Sequence, residues 1–293
     1  MIQSIAYHAE QAGPRLLVLG AVHGNEKCGT AAIRRVCASL DSGQLTLTRG
    51  RVTFVPVCNP GAYAADTRFV ERNLNRYLVP MAAPDCYEAR LGNALCPLLA
   101  DCDMLLDIHS YTIGGAPFVI VDAEAEAAER AFAACLGAAV TLSGWAQAYA
   151  ATGKKKAQAD ENESVGTIQW ARRHGAMGAT IECGQHKDPT AEPIAYHAIH
   201  NALRHLGLVA ETRQDQRDIT PRRITMTQVY YHDDAGSFPQ PWANFDAVKA
   251  GEVMGVRANG EVLRAPQDGV IIMPRPGFAP GEEWFYFGVE AAR

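Results

Sequence analysis

With 293 residues, 48% of them apolar and 20% charged, the chain has the composition of a soluble globular protein, either one large domain or a large domain with a smaller companion. A formal net charge of −5 gives no sign of nucleic-acid binding, which would favour a basic face, and any anionic ligand would have to be held by local arginines. The opening MIQSIAYHAEQAG lacks the basic and apolar regions of a signal peptide, and the early apolar run LLVLGAV is too short for a bilayer, so no membrane partner is expected.

Residues 15–19, RLLVL, form a continuous apolar run ending at Gly20, the pattern of a strand buried on both faces. Residues 26–40 carry apolar groups at helical spacing. A second strand over 51–60 is stopped by Asn59-Pro60, and a helix is expected over 87–102, with Pro97 as a kink or stop. Strands follow at 104–110 and 117–121, a helix at 124–139, a strand at 178–184 and an amphipathic helix at 195–209. Strands alternating with helices predict an α/β fold, a mixed, mostly parallel sheet covered on both faces, whose ligands lie at the carboxyl ends of the strands. The texture changes near residue 210. A polar linker over 211–223 leads into short β-type runs, so residues 1–210 are expected to form the main domain and 211–293 a small all-β one. The polar segment 154–164 reads as a loop. Eight scattered cysteines without a CxxC pair read as reduced, mostly buried thiols, which points to the cytoplasm and away from a cysteine-based metal site.

Chemistry collects at the predicted strand ends. His23 and Glu26 stand three apart in an HGNE turn, and His109 ends the strand MLLDIHS. Two histidines and one carboxylate are the ligand set of a catalytic zinc with a fourth position left for water. Singly, each residue has an ordinary reading: His23 as a helix cap, Glu26 in a first helical turn, His109 as a satisfied core histidine. Jointly, they favour a metal. Asp107, two before His109, shares its face and can support the imidazole or merely brace a loop. Glu182 is a carboxylate in a buried strand, suited to accept a proton from water and pass it to a leaving amine, unless it pairs with Arg172 or Arg173. The segment TRFVERNLNR places Arg68, Arg72 and Arg76 at helical spacing, a solvated face unless Asn75 and Arg76 grip a carboxylate.

HGNE, RFVERNLNR, DIHS and IECG, in this order, resemble the succinylglutamate desuccinylase/aspartoacylase family, relatives of the zinc carboxypeptidases. The resemblance extends over the whole chain and implies one zinc ion on His23, Glu26 and His109, with Glu182 as general base and acid. It also implies that Arg68 polarises the scissile carbonyl, that Asn75 and Arg76 hold the substrate carboxylate, and that Arg172 receives a second carboxylate. The implied activity is hydrolysis of the amide of a small N-acyl amino acid. A carboxypeptidase acting on short peptides and a non-catalytic metal-binding scaffold are the alternatives. Association into a homo-oligomer is left open. Two departures stand out. Asn73 replaces an aspartate of the commoner motif, which removes an anionic contact, and the DIHSYTIGG and ECGQHKDP stretches match neither well-known branch. His186 in the latter is either a polar contact near Glu182 or a surface histidine. The C-terminal segment resembles a biotinyl-type hammerhead without the lysine of a carrier, which in relatives shields the site mouth. Tyr230, Tyr231 and Tyr286 are its candidate substrate contacts.

Overall fold

The computed structural model describes residues 2–76, 78–152, 165–210, 220–233, 235–277 and 280–291. The polar segment 154–164 and residues 211–219 of the expected linker lie outside the described residues.

The chain begins with β1 (Ile5–His8), β2 (Arg15–Leu19), α1 (Cys28–Asp41), β3 (Arg51–Val55) and α2 (Pro60–Ala65). After a single 3-10 turn at Leu74–Arg76 come α3 (Tyr87–Ala100), β4 (Met104–Tyr111), β5 (Phe118–Ile120), α4 (Ala127–Cys135) and β6 (Val140–Ser143). Then follow α5 (Trp145–Ala151), α6 (Thr167–Arg173), β7 (Met177–Gln185) and α7 (Ala191–His205). The remainder is all β: β8 (Arg222–Tyr231), β9 (Ala247–Val248), β10 (Val253–Val256), β11 (Val262–Arg264), β12 (Gly269–Ile272) and β13 (Glu283–Glu290).

One sheet of eleven strands runs β1-β3-β2-β4-β7-β5-β6-β8-β13-β12-β9, while β10 and β11 form a separate ribbon. β3, β2, β4 and β7 are mutually parallel, as the alternation of strands and helices predicts. Leu16 and Val18 face a core shared with Ile33 and Val36 of α1, Phe132 of α4 and Leu203 of α7. Leu17 and Leu19 face the opposite core, with Leu91, Leu95 and Leu99 of α3 and Ala171 of α6. Alternation along one strand thus serves two layers.

The C-terminal strands extend this sheet. β6 pairs in parallel with β8, and β8, β13, β12 and β9 continue antiparallel, so Arg222 and Arg223, expected at the end of the linker, already belong to a strand. A shared core of Phe118, Leu142, Ile224, Met226, Phe245 and Tyr286 welds the two regions. All eight cysteines are free thiols and all but Cys135 are buried. No described helix is long and apolar enough to cross a membrane.

Candidate active site

β2, β4 and β7 lie side by side, with Leu19 opposite Asp107 and His109 opposite Glu182 in register. Their carboxyl ends therefore bring the HGNE turn, His109 and Glu182 to one spot. The turn works by close approach rather than by glycine flexibility. A Cβ on Gly24 would lie 2.0 Å from the Ala62 carbonyl carbon, and one on Gly20 would lie 2.9 Å from the Pro56 oxygen. The left-handed backbone position is taken by Ala21, at φ 48°.

His23, Glu26 and His109 are all buried and each presents a donor atom within 4.8 Å of the other two. The His23 Nδ1 is 2.8 Å from Glu26 Oε1, and the His109 Nδ1 is 2.8 Å from Glu26 Oε2. On its far side, the His23 Nε2 lies 3.0 Å from Asn73 Oδ1, which also accepts the Asn75 N–H at 3.0 Å. Because that amide atom accepts from a backbone donor it is the oxygen. His23 Nε2 is therefore placed to donate to Asn73, which would turn the Nδ1 lone pair to a cation held between His23 and Glu26. The contact expected from an aspartate is present here in neutral form. His109 Nε2 is 3.0 Å from Asp107 Oδ2, close enough for an ion pair though not aligned as a hydrogen bond, and Asp107 is fixed by the Thr167 hydroxyl at 2.5 Å.

The electrostatics mark a cation site. Burial, followed by the nearby Arg68, pushes His23 down to about 4, so it is neutral and can ligate. Burial works against charge on Glu26 and His109 as well. Even so, the two histidines keep Glu26 ionised, and Asp107 and Glu26 hold His109 well above its ordinary range. A pocket that retains a proton between two buried carboxylates has the field a divalent ion would satisfy. Two imidazole nitrogens and a carboxylate, with acceptors behind both rings, fit zinc in donor type and support.

Glu182 is partly accessible as a residue, yet its Oε2 is buried and has no hydrogen-bond partner among the described residues. Burial, then the charge of Glu26, pushes its carboxyl up to about 8. Arg68 extends Nη1 to within 3.0 Å of Glu26 Oε1 and keeps 41% of its side chain exposed. The segment from Arg68 to Arg76 is irregular apart from its 3-10 turn, not the helix its spacing allows. Asn75 accepts the Thr167 N–H at 2.8 Å through Oδ1, which leaves Nδ2 for a ligand, and Arg76 donates to the Asn75 carbonyl at 2.7 Å.

Arg172 is not brought to this cluster. It lies at the amino end of β7 and pairs with buried Glu129, whose other oxygen accepts the Gly178 N–H at 3.1 Å, and with Asp122 at 3.8 Å. Glu182 is five residues further along the strand, about 17 Å at the usual rise per residue. The ten-residue spacing to Glu182 that suggested a carboxylate clamp instead spans a helix end, a turn and most of a strand.

Of the three tyrosines, Tyr286 is the one in the field of Arg76 and Arg275. Its hydroxyl is 3.0 Å from that of Tyr149, in the field of Glu283, Arg275 and Arg76. Tyr230 stacks on Phe285, and its hydroxyl bonds Gln228. Tyr231 is influenced by Thr152 and Glu283. Arg275, between β12 and β13, acts on Glu182, His186 and Tyr286.

Three supporting residues escaped the sequence reading. They are Thr167, Ser110 and Glu88. Fully buried Glu88 accepts the N–H groups of Val70 at 2.7 Å and of Glu71 and Arg72 at 3.1 Å, together with Asn59 Nδ2 at 3.1 Å. Only Glu88 left a sequence signal, since it falls on the same helical face as Leu91, Leu95 and Leu99.

A mixed α/β sheet with a buried His–Glu–His donor set at its strand ends defines an α/β protein with a candidate metal centre. The family model of the succinylglutamate desuccinylase/aspartoacylase catalytic domain matches residues 12–206, and the chain belongs to that family. Curated relatives described as N-acyl-aromatic-L-amino acid amidohydrolase (carboxylate-forming) are 36% identical in Rattus norvegicus and 35% in Mus musculus. Both matches run over 111 residues, 33% of this chain, and cover about a third (34%) of the length of those relatives. Among solved structures, a succinylglutamate desuccinylase/aspartoacylase from Rhodobacter sphaeroides superposes with a TM-score of 0.76 at 21% identity, covering 97% of this chain and 87% of that one. The product-bound ectoine utilization protein EutE (DoeB) from Ruegeria pomeroyi gives 0.74 at 22% identity, covering 98% and 88%. At such identities the likeness establishes the fold.

Proposed function

We propose that the protein is a zinc-dependent amidohydrolase that cleaves the amide bond of a small N-acyl amino acid, with His23, Glu26 and His109 holding one zinc ion. The observation that carries this reading is Glu182, a carboxylate with a buried, unpartnered oxygen in register with His109. A scaffold that only bound metal would have no use for it. Zinc held by the three donors would supply Lewis acidity, lowering the proton affinity of water and drawing electrons from a carbonyl. Glu182 takes the proton from the attacking water and delivers it to the amine nitrogen as the C–N bond breaks, leaving a carboxylate and a free amine. Burial raises the proton affinity of Glu182, which suits a group that must take a proton and then give it back. Arg68, beside Glu26, faces the negative charge that develops on the carbonyl oxygen. The Asn75 Nδ2 and the Arg76 guanidinium hold the α-carboxylate of the substrate. Arg172, committed to Glu129, has no part in this assignment. The C-terminal region, with Tyr286 on β13 and Arg275 ahead of that strand, would cover the mouth and favour small substrates over peptides.

Glu182→Gln tests the assignment. The variant is expected to bind about one zinc per chain, as wild type does, while losing roughly 10²–10⁴-fold in amine release from a panel of N-acyl amino acids. Hydrolysis at the wild-type rate by the variant would remove Glu182 from the chemistry. A zinc-loaded wild type inert across the panel would favour the scaffold.

A further inference from the structure

His186 follows β7 and is used by none of the steps above. Its backbone N–H is fixed to the Tyr111 carbonyl at 3.1 Å, and its Nδ1 lies 2.8 Å from the Ser110 hydroxyl. Ser110 is buried, and its own N–H donates to Glu26 Oε2 at 3.1 Å. The ring is thus one residue removed from the donor triad, in the fields of Glu26, Arg68 and Arg275. Its tautomer follows from the serine. The Ser110 hydroxyl has no other hydrogen-bond partner among the described residues, so a donating Nδ1–H would leave the hydroxyl proton buried without an acceptor. Ser110 therefore donates to Nδ1, and Nε2 carries the hydrogen. Nε2 makes no hydrogen bond among the described residues, and the side chain is partly open to solvent.

Position assigns the donor to one half of the substrate. Asn75 and Arg76 connect to the triad through Thr167, Asp107 and His109, and through Asn73 and His23. His186 connects through Ser110 and Glu26, beside Arg68. These separate routes place Asn75 and Arg76 and His186 on different partners of the triad, so a substrate holding its carboxylate on Asn75 and Arg76 would have His186 available to its acyl group.

Resting on the deacylase reading, we propose that His186, oriented by Ser110, is a specificity-determining residue of the acyl subsite, where its Nε2–H favours acyl groups bearing a hydrogen-bond acceptor beyond the scissile carbonyl. An isosteric pair isolates the effect: N-methoxyacetyl and N-butyryl derivatives of one amino acid differ by an ether oxygen in place of a methylene. Their intrinsic reactivities differ, so the readout is how the ratio of their kcat/KM values changes between variants. His186→Ala is expected to lower the methoxyacetyl-to-butyryl ratio about five- to tenfold, His186→Gln to retain part of it through its amide donor, and Ser110→Ala to lower it by releasing the tautomer. The ratio between two amino acids carrying the same acetyl group should stay constant throughout. An unchanged acyl ratio in His186→Ala, or in Ser110→Ala should the first variant not fold, overturns the proposal while leaving the deacylase reading intact. Failure of zinc-loaded wild type to hydrolyse any amide in the set overturns that reading and this one with it.

Discussion

Replacing Glu88 with glutamine removes one anionic oxygen from a carboxylate that binds the segment carrying Arg68, Asn73, Asn75 and Arg76. In wild type, Oε1 accepts from Asn59 and Val70, and Oε2 accepts from Glu71 and Arg72. Glutamine keeps one acceptor oxygen. Its NH₂ must face the other pair of donors, so two charge-assisted bonds are lost and two N–H groups are left opposed by hydrogens. At about 1.5–3 kcal/mol for each charged bond, reduced because this segment is only half-buried, the loss should be about 2–4 kcal/mol. The loosened segment should also lower kcat/KM by about tenfold, because misplacement of a positioning group by about an ångström is enough for that. Urea unfolding of the metal-free protein and steady-state kinetics of the loaded protein measure the two effects. The pH dependence adds a signed test. Burial opposes ionisation of Glu88, but the backbone donors and Asn59 outweigh it and hold the carboxyl below its ordinary 4.5. A depressed folded-state value means stability that is present above pH 4.5 and lost as pH falls through the folded value. The gap between wild type and Glu88→Gln should therefore be full at pH 7 and shrink below about 4.5. A variant within about 0.5 kcal/mol of wild type at pH 7, with unchanged kinetics, would refute the reasoning, since a loss that small is ordinary for a surface substitution.

Asn73→Ala removes the acceptor behind His23, so zinc affinity measured by competition with a chelator should fall about 10–100-fold, while Asn73→Asp should restore or exceed it. Equal affinity in all three proteins would show that the contact does not orient the ring. Arg172→Met strands buried Glu129 without its cation and should cost about 2–4 kcal/mol by urea unfolding, with no change in the preference between mono- and dicarboxylic substrates. A shifted preference at unchanged stability would return Arg172 to the site.

The legible part of the site was local. His23 with Glu26, His109 and Glu182 each follow a run of apolar residues that could only be a buried strand, and carboxyl ends of parallel strands converge. What hid was long-range. Arg68, Arg72 and Arg76 have helical spacing, yet the backbone donors of Val70, Glu71 and Arg72 are taken by Glu88 from another helix, so no helical ladder forms there. Nothing in the local pattern of RFVERNLNR reveals a competing acceptor so far away. Arg172 failed for the complementary reason: spacing in sequence says little once a turn reverses the chain. The edge strand β1 and the short β6 were missed because four residues barely register as periodicity. His186 lay in view, but its link to Ser110 depends on β4 and β7 being neighbours, a fact of topology.

The continuous sheet limits how the molecule can be cut or opened. Because β8 is hydrogen-bonded along β6, a fragment ending near residue 210 would present Val140–Ser143 as a bare strand edge and uncover Phe118 and Leu142. Such a fragment is a template for intermolecular pairing rather than a trimmed enzyme. The same ladder denies the C-terminal strands a hinge at that seam. Any opening of this region must then come from side chains and loops rather than from parting of the sheet between β6 and β8.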